Sequence, residues 1–296
     1  MERWILAAVW ATLPATAGGA LADATAEWST APQVVAAALL WAAWGIALLG
    51  IVLPRPVGLT VVRAVAPCFL LLAVVVAGWS DASATAGAVA VAATLVAQVL
   101  VARPPLALLA VNALAYGDES RFPLRVPPGL FLGPLPLARL LLGVAVATGP
   151  LLLADARWVA GAVASVVAVP VAVVAARSVH GLSRRWAVLV PAGFVVVDPL
   201  TLTDPVLFPR ERIVTLGRLG AAPPAGDDVL DLRLGASLGA VTLTVDRPAE
   251  LFRARRRRRD AQTVTATRIC VASVAADLLL DEAARRHIPV VSAGAS

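Results

Sequence analysis

The chain has 296 residues, of which 59% are hydrophobic, and a mean hydropathy of +0.84. Ordinary soluble domains are roughly 45–50% apolar, so this composition excludes a soluble globular protein and indicates an integral membrane protein. The net charge of +6 is too small for a nucleic-acid binder and concentrates toward the C-terminus, so no nucleic-acid partner is expected. All 25 basic residues are Arg, a GC-rich coding bias without mechanistic content.

In chain order, Met1-Glu2-Arg3 precedes the apolar stretch Trp4–Ala22. Its end, Ala20-Leu21-Ala22 before Asp23, is similar to a signal-peptide cleavage site. Glu2 offsets Arg3, however, which weakens the basic start that such a peptide needs, and a retained first span is the expectation. Gln33–Leu53 carries no charge, has the roughly 20 residues a crossing helix needs, and stops at Pro54-Arg55-Pro56. Val57–Trp79 follows, with Arg63 near its start and within snorkelling reach of the interface. Ala82–Ala102 ends at Arg103-Pro104-Pro105, and Leu137–Leu153 and Trp158–Ala176 form a last pair.

Arginine placement orients the spans. With the N-terminus inside, Arg3, Arg55, Arg63, Arg103, Arg121, Arg125, Arg139 and Arg177 all fall on the cytoplasmic side. Asp23, Glu27, Asp81, Asp155 and the lone Arg157 fall outside. About six spans with both ends inside, in a bacterial cytoplasmic membrane, is the expected topology. The fourth span offers small-residue rows, Ser83/Gly87/Val91 and Ala82/Ala86/Ala90, that would let helices approach, although an Ala-rich chain makes such rows by chance. No Asp, Glu, His or Lys sits at mid-span, which argues against a proton-coupled transporter, and Gln98 reads as interhelical glue.

The connection 103–136 is the one long loop of the membrane half. Leu106–Ala115 is apolar but too short to cross. Asn112, Tyr116, Asp118, Glu119, Arg121 and Arg125 follow within a few residues. They read either as a solvated connector or as a docking loop for the C-terminal domain or a partner.

From Arg184 the pattern acquires period two. Trp186–Val190 and Phe194–Val197 flank a Pro191-Ala192-Gly193 turn. Val206–Phe208 and Arg210–Leu216 come next. Leu230, Leu232 and Leu234 alternate with charges and are expected to pair in a hairpin with Val241, Leu243 and Val245. Thr263–Val271 is a further strand, its alternation breaking near Arg268 in the manner of a bulge. A closing helix over Val274–His287 would bury Val274, Leu278 and Ala283 and set Asp281 against Arg285 and Glu282 against Arg286. The expectation is therefore an α-helical transmembrane bundle followed by a small α+β domain. The membrane region spans 1–177, with its cytoplasmic loop at 103–136; the second domain spans 178–296 and is a β-barrel of about seven strands capped by a helix.

The stretch R-R-W-A-V-L-V-P-A-G-F-V-V-V-D and the later L-F-P-R-E-R-I resemble the bacterial pleckstrin-homology-like (PH-like) domains found in multi-span membrane proteins. Arg185, Gly193, Pro209, Arg212 and Ile213 carry the resemblance, which covers about a third of the chain. It implies oligomerisation or protein contact more than catalysis. The phosphoinositide-binding type has a basic first loop; here that loop is Pro191-Ala192-Gly193, so headgroup specificity is not implied.

Other motifs carry little. Gly235-Ala-Ser237-Leu-Gly239 matches the nucleophile pattern G-x-S-x-G but joins two strands where that chemistry needs a strand–turn–helix. Cys68 and Cys270 have no metal or redox spacing, His180 and His287 stand alone, and Asp227, Asp228 and Asp231 form a loop edge. Arg253 and the run Arg255, Arg256, Arg257, Arg258 and Arg259 are either a solvated loop or an anionic-lipid contact. No catalytic, cofactor or metal residue is expected. The chain reads as a non-enzymatic membrane protein whose partners are the lipid bilayer and a protein or second copy. The alternative is a small-solute transporter or channel with a regulatory domain.

Overall fold

The computed structural model describes residues 1–79, 83–219, 226–254 and 262–291. The elements run α1 Glu2–Ala24, α2 Thr30–Val52, α3 Pro56–Trp79, α4 Ala84–Ala102, α5 Pro104–Asn112, β1 Ser120–Pro123, α6 Pro128–Phe131, α7 Pro134–Ala154 and α8 Trp158–Ser183. They continue as β2 Trp186–Val190, β3 Gly193–Val197, β4 Val206–Pro209, β5 Ile213–Arg218, β6 Val229–Asp231, β7 Ala240–Arg253, β8 Gln262–Ala272, α9 Ala276–Arg285 and β9 Val290–Val291. The chain divides into two compact units, Met1–Ala110 with Gly133–His180, and Val111–Leu132 with Gly181–Ser296. The segment 111–132, assigned from sequence to the membrane half, thus groups with the C-terminal unit.

The first unit is helical. Among the described residues six helices are long and apolar enough to cross a membrane, counting α6 and α7 as one, which makes the chain a multi-pass membrane protein. Their ends follow local chemistry. Pro54 and Pro56 separate α2 from α3, and the Ser83 hydroxyl caps α4 by accepting the Ala86 N–H at 3.2 Å. α1 is built into the core: Leu6, Trp10 and Leu13 are buried with Ile51, Val62, Ala97 and Val101. Trp10 donates its indole N–H to the Trp44 carbonyl at 3.0 Å, and Trp44 returns the bond to the Trp10 carbonyl at 2.8 Å. Such reciprocity matters where no water can satisfy an indole donor. Close approaches fall at glycine. A Cβ on Gly87 would lie 3.0 Å from the Ala77 Cβ, and one on Gly161 would lie 2.9 Å from the Leu153 amide nitrogen. The buried Oε1 of Gln98 accepts no hydrogen bond among the described residues.

The second unit contains two sheets. One is an antiparallel meander of order β1-β2-β3-β4 and the other has order β6-β8-β7-β5-β9. The described strands do not close into a barrel; the isolated bridges Leu124–Ser273 and Leu202–Arg253 and a few further hydrogen bonds join the sheets. A 3-10 turn at Arg210–Arg212 carries the chain from one sheet to the other, leaving β4 as an outer edge. The core is made of Leu189, Phe194, Phe208, Leu216, Leu243 and Ile269 with Leu279 and Ala283 of α9.

Several sequence expectations change here. The hairpin of 230–234 with 241–245 does not form: β6 pairs in parallel with β8, and β7 pairs with β8 and β5. Alternation fixes the face a residue shows but not its partner, and the long β7 finds longer partners than the three-residue β6. The irregularity opposite Arg268 lies in β7, between Thr244 and Ala249, where Pro248 could not donate to a ladder. On α9 the buried stripe is Ala276, Leu279, Leu280 and Ala283, with Leu278 exposed. Arg285 and Arg286 both reach Glu282, at 2.5 and 2.7 Å, so Asp281 does not take Arg285. Two strands, β1 and β9, lie outside the predicted set.

Replacing Gly161 by Leu should lower the thermal midpoint of the detergent-solubilised chain, at a cost of roughly 1–3 kcal/mol, because the side chain would overlap Leu153. Gly18 has nothing within 4 Å of a Cβ, so Gly18→Ala should leave the midpoint unchanged or raise it.

Candidate functional site

The candidate docking loop becomes β1 and its flanks. Asn112, at the end of α5, frames it: the side-chain amide donates to the Arg121 carbonyl, and its Oδ1 accepts the Arg121 N–H, both at 2.8 Å. One asparagine side chain thus imitates a strand partner and closes the loop between. Within that loop Gly117 takes a left-handed φ of 60°, and Glu119 Oε1 accepts the Tyr116 N–H at 2.7 Å and a hydrogen bond from the Arg121 guanidinium. The Arg121 guanidinium also lies 5.5 Å from the centroid of the Trp186 ring, a cation–π placement.

β1 then pairs antiparallel with β2, Ser120 opposite Leu189 and Pro123 opposite Trp186. The chain beyond it is stitched to both sheets. Leu124 N–H donates to the Arg185 carbonyl at 3.0 Å, Arg125 N–H to the Ala272 carbonyl at 2.7 Å, and Val274 N–H to the Pro123 carbonyl at 3.0 Å. α9 holds the outer side: Arg286 donates to the Ser120 hydroxyl at 3.0 Å and to the Asp118 carbonyl.

Of the six loop candidates, Asn112, Glu119, Arg121 and Arg125 face into this network. The Tyr116 ring is 91% exposed, and Asp118 contributes its carbonyl while its side chain is exposed. Arg125 has a buried Nε with no hydrogen-bond partner among the described residues, and a Cβ on Gly239 (φ 66°) would sit 3.2 Å from it. Arg253 is an exposed residue at the end of β7, and its backbone bridges to Leu202. Arg255, Arg256, Arg257, Arg258 and Arg259 lie outside the described residues. Among the described residues no cluster of three or more His, Cys, Asp or Glu could hold a metal ion. Ser237 sits on an exposed loop between β6 and β7.

The residue that organises the site was not among the candidates. Arg185 forms a bidentate pair with Asp198, Nε to Oδ1 and Nη2 to Oδ2, each 2.7 Å, and both side chains are essentially fully buried. Arg185 Nη1 also donates to the Arg125 carbonyl at 2.8 Å, and Nη2 to the Leu232 carbonyl at 3.3 Å. One guanidinium therefore ties β2, β3, the segment after β1 and the segment after β6. A signal existed in the sequence: a two-residue turn at 191–192 places Val190 opposite Gly193 and Trp186 opposite Val197, so that Arg185 and Asp198 follow as the next cross-strand pair.

Carboxylates around β1 are tuned by their partners. Burial pushes the Glu119 carboxyl up, but the Tyr116 N–H and Arg121 outweigh it and leave it below the usual carboxylate range. Glu282 behaves alike: burial raises it, and Arg286, Arg285 and Ser120 together bring it lower. Asp228 is held well below that range by hydrogen bonds from Arg268 and Thr267.

Removing one partner of the buried pair, as in Arg185→Ala or Asp198→Ala, should destabilise the chain by about 3–5 kcal/mol, since a buried charge is left alone; Arg185→Leu with Asp198→Leu should cost less than either. Denaturant midpoints decide it. Lowered carboxyl groups stabilise the fold above their unfolded value and lose that contribution as pH falls through the folded one. Stability should thus be level above about pH 5 and fall below roughly pH 4. Glu119→Gln with Glu282→Gln should flatten that decline.

No protein-family model, no curated protein and no solved structure matches the chain.

Proposed function

We propose that the chain is a non-enzymatic membrane protein whose helices present a cytoplasmic PH-like domain for protein assembly or regulation at the bacterial inner membrane. The observation that carries this reading is the origin of the first sheet's edge strand. β1 comes from the segment between two spans, so the domain is continuous in sequence with α5, with α7 through α6, and with α8. A domain tied at three places is poorly suited to reach for distant substrates and well suited to pass an event at its surface to the helices.

The cytoplasmic side is favoured by arginine bias. Segments 111–132 and 181–291 fold together and so share one side of the membrane, and that side carries Arg121, Arg125, Arg184 and Arg185 next to the span ends. Asp23, Glu27 and Asp155 belong to the opposite ends of the spans. The PH-like reading is supported by the four-stranded meander, a second largely antiparallel sheet and a C-terminal helix. It is supported also at Gly193, where φ is 146° and a Cβ would strike the Phe208 carbonyl. The parallel pair β6–β8 and the borrowed β1 are departures from a seven-stranded expectation.

Protein contact has a physical basis at β4. It is the outer strand of its sheet, and Leu207 on it is 47% exposed. An unpaired edge with an exposed apolar residue is the usual template for adding a strand from another chain. A photo-reactive side chain at Leu207 should capture a protein partner or a second copy in native membranes, and the same probe at exposed Leu278 should not. Solute flux by the purified chain alone in proteoliposomes would instead favour the transporter reading and sink this one.

A further inference from the structure

Charges are distributed differently in the two units. In the first unit the described carboxylates are Glu2, Asp23, Glu27 and Asp155; Glu2 pairs with Arg103 at 3.3 Å and Asp155 with Arg157 at 2.8 Å. Two further arginines lie inside the helical packing without such partners. Arg63 is about two turns into α3 and Arg139 is in the second turn of α7. Neither is in an ion pair among the described residues, and the Arg139 Nε is buried with no hydrogen-bond partner.

Arg63 and Arg139 stand near the N-terminal ends of two helices, α3 and α7, that pack against each other. Their helices are packed tightly just beyond them. The Cys68 thiol of α3 donates to the Arg139 carbonyl at 3.6 Å, and a Cβ on Gly143 would lie 2.8 Å from the Cys68 sulfur. On α3, one turn before Arg63, Thr60 lies 3.3 Å from His180 Nδ1 near the end of α8. α3 and α7 each thus bring an arginine, and α8 a histidine, to one end of the bundle, where the described residues offer no carboxylate paired with either arginine.

Two like charges held together in a low-dielectric packing repel, and an unpaired guanidinium there is costly. A chain that keeps both must gain from an anion between them. Phosphate suits the guanidinium fork, which can donate two parallel hydrogen bonds to its oxygens. Basic pockets between spans at the cytoplasmic surface are a recognised setting for anionic headgroups. We propose that Arg63 and Arg139 form an interhelical site for a phosphate group, carried by an anionic phospholipid headgroup or by free phosphate. The inference depends on the membrane-spanning character of the helices and is independent of any partner at β4.

The test is thermal unfolding of the full chain in neutral detergent, with phosphatidylglycerol, phosphatidylcholine or inorganic phosphate added. With either anionic ligand the wild type should gain roughly 3–5 °C at saturation. Phosphatidylcholine should give no gain. Arg63→Gln should be at least as stable as wild type without ligand, since repulsion is relieved, and should lose the gain. Arg177→Gln, at an exposed position on α8, should keep it. A gain with phosphatidylglycerol alone identifies the headgroup, and a gain with phosphate identifies the free anion. No gain with either, or an equal gain in Arg63→Gln, overturns the proposal. Should Arg63→Gln fail to fold, native mass spectrometry of the wild type decides: a retained phosphatidylglycerol or phosphate adduct lost in Arg139→Lys supports the site, and no adduct, or one unchanged in that variant, overturns it.

Discussion

The second unit depends on one buried ion pair. Arg185 and Asp198 face each other across the first hairpin, and Arg185 spends its remaining donors on the carbonyls of Arg125 and Leu232. Burying a guanidinium and a carboxylate is costly unless nearly every donor and acceptor is satisfied. Here satisfaction requires segments from four parts of the chain, including the one beyond β1. The pair is therefore weak evidence of stability in itself and strong evidence of specificity. It makes the inter-span segment a condition of the domain's folded state.

The same economy of polar groups separates the two units. In the second, nearly every strongly placed arginine has a carboxylate: Arg121 with Glu119, Arg212 with Asp246, Arg218 with Asp277, Arg233 with Asp231, Arg268 with Asp228 and Arg286 with Glu282. Most are partly exposed and individually modest in energy; collectively they set which strand or helix lies beside which. In the first unit helices meet through glycine and through the Trp10–Trp44 exchange, with few ions to assist. Small residues and internally satisfied donors are what association in lipid demands. Arg63 and Arg139 are the exceptions to that economy.

Much of this was legible in the sequence, for physical reasons. The spans follow from length and hydropathy alone; the first four agree with the predicted bounds within three residues, whereas the fifth starts earlier, at Pro128, and the last runs on to Ser183. β2, β3 and β4 follow from alternation and the Pro191–Gly193 turn. Strand partners were not legible, because period two tells inside from outside and nothing about neighbours; the β6–β7 hairpin failed for that reason. β1 was missed because four residues ending in Pro123 carry almost no periodic signal. Its pairing is fixed from outside, by Asn112, Arg185 and Arg286. The loop's composition left a solvated connector and a docking loop both open, because it could not show the carbonyl and amide each side chain would meet.

Hydrogen exchange along residues 120–125 of the intact chain addresses the central claim most directly, namely that the inter-span segment is a strand of the C-terminal domain. If β1 is part of that fold, the amides of Arg121, Leu124 and Arg125, whose acceptors are the Asn112 side chain and the Arg185 and Ala272 carbonyls, should be protected to the same degree as those of β2. They should also lose protection together with β2 when Asp198 is replaced by Ala. Exchange at the rate of an open loop, while β2 and β3 remain protected, would contradict the account.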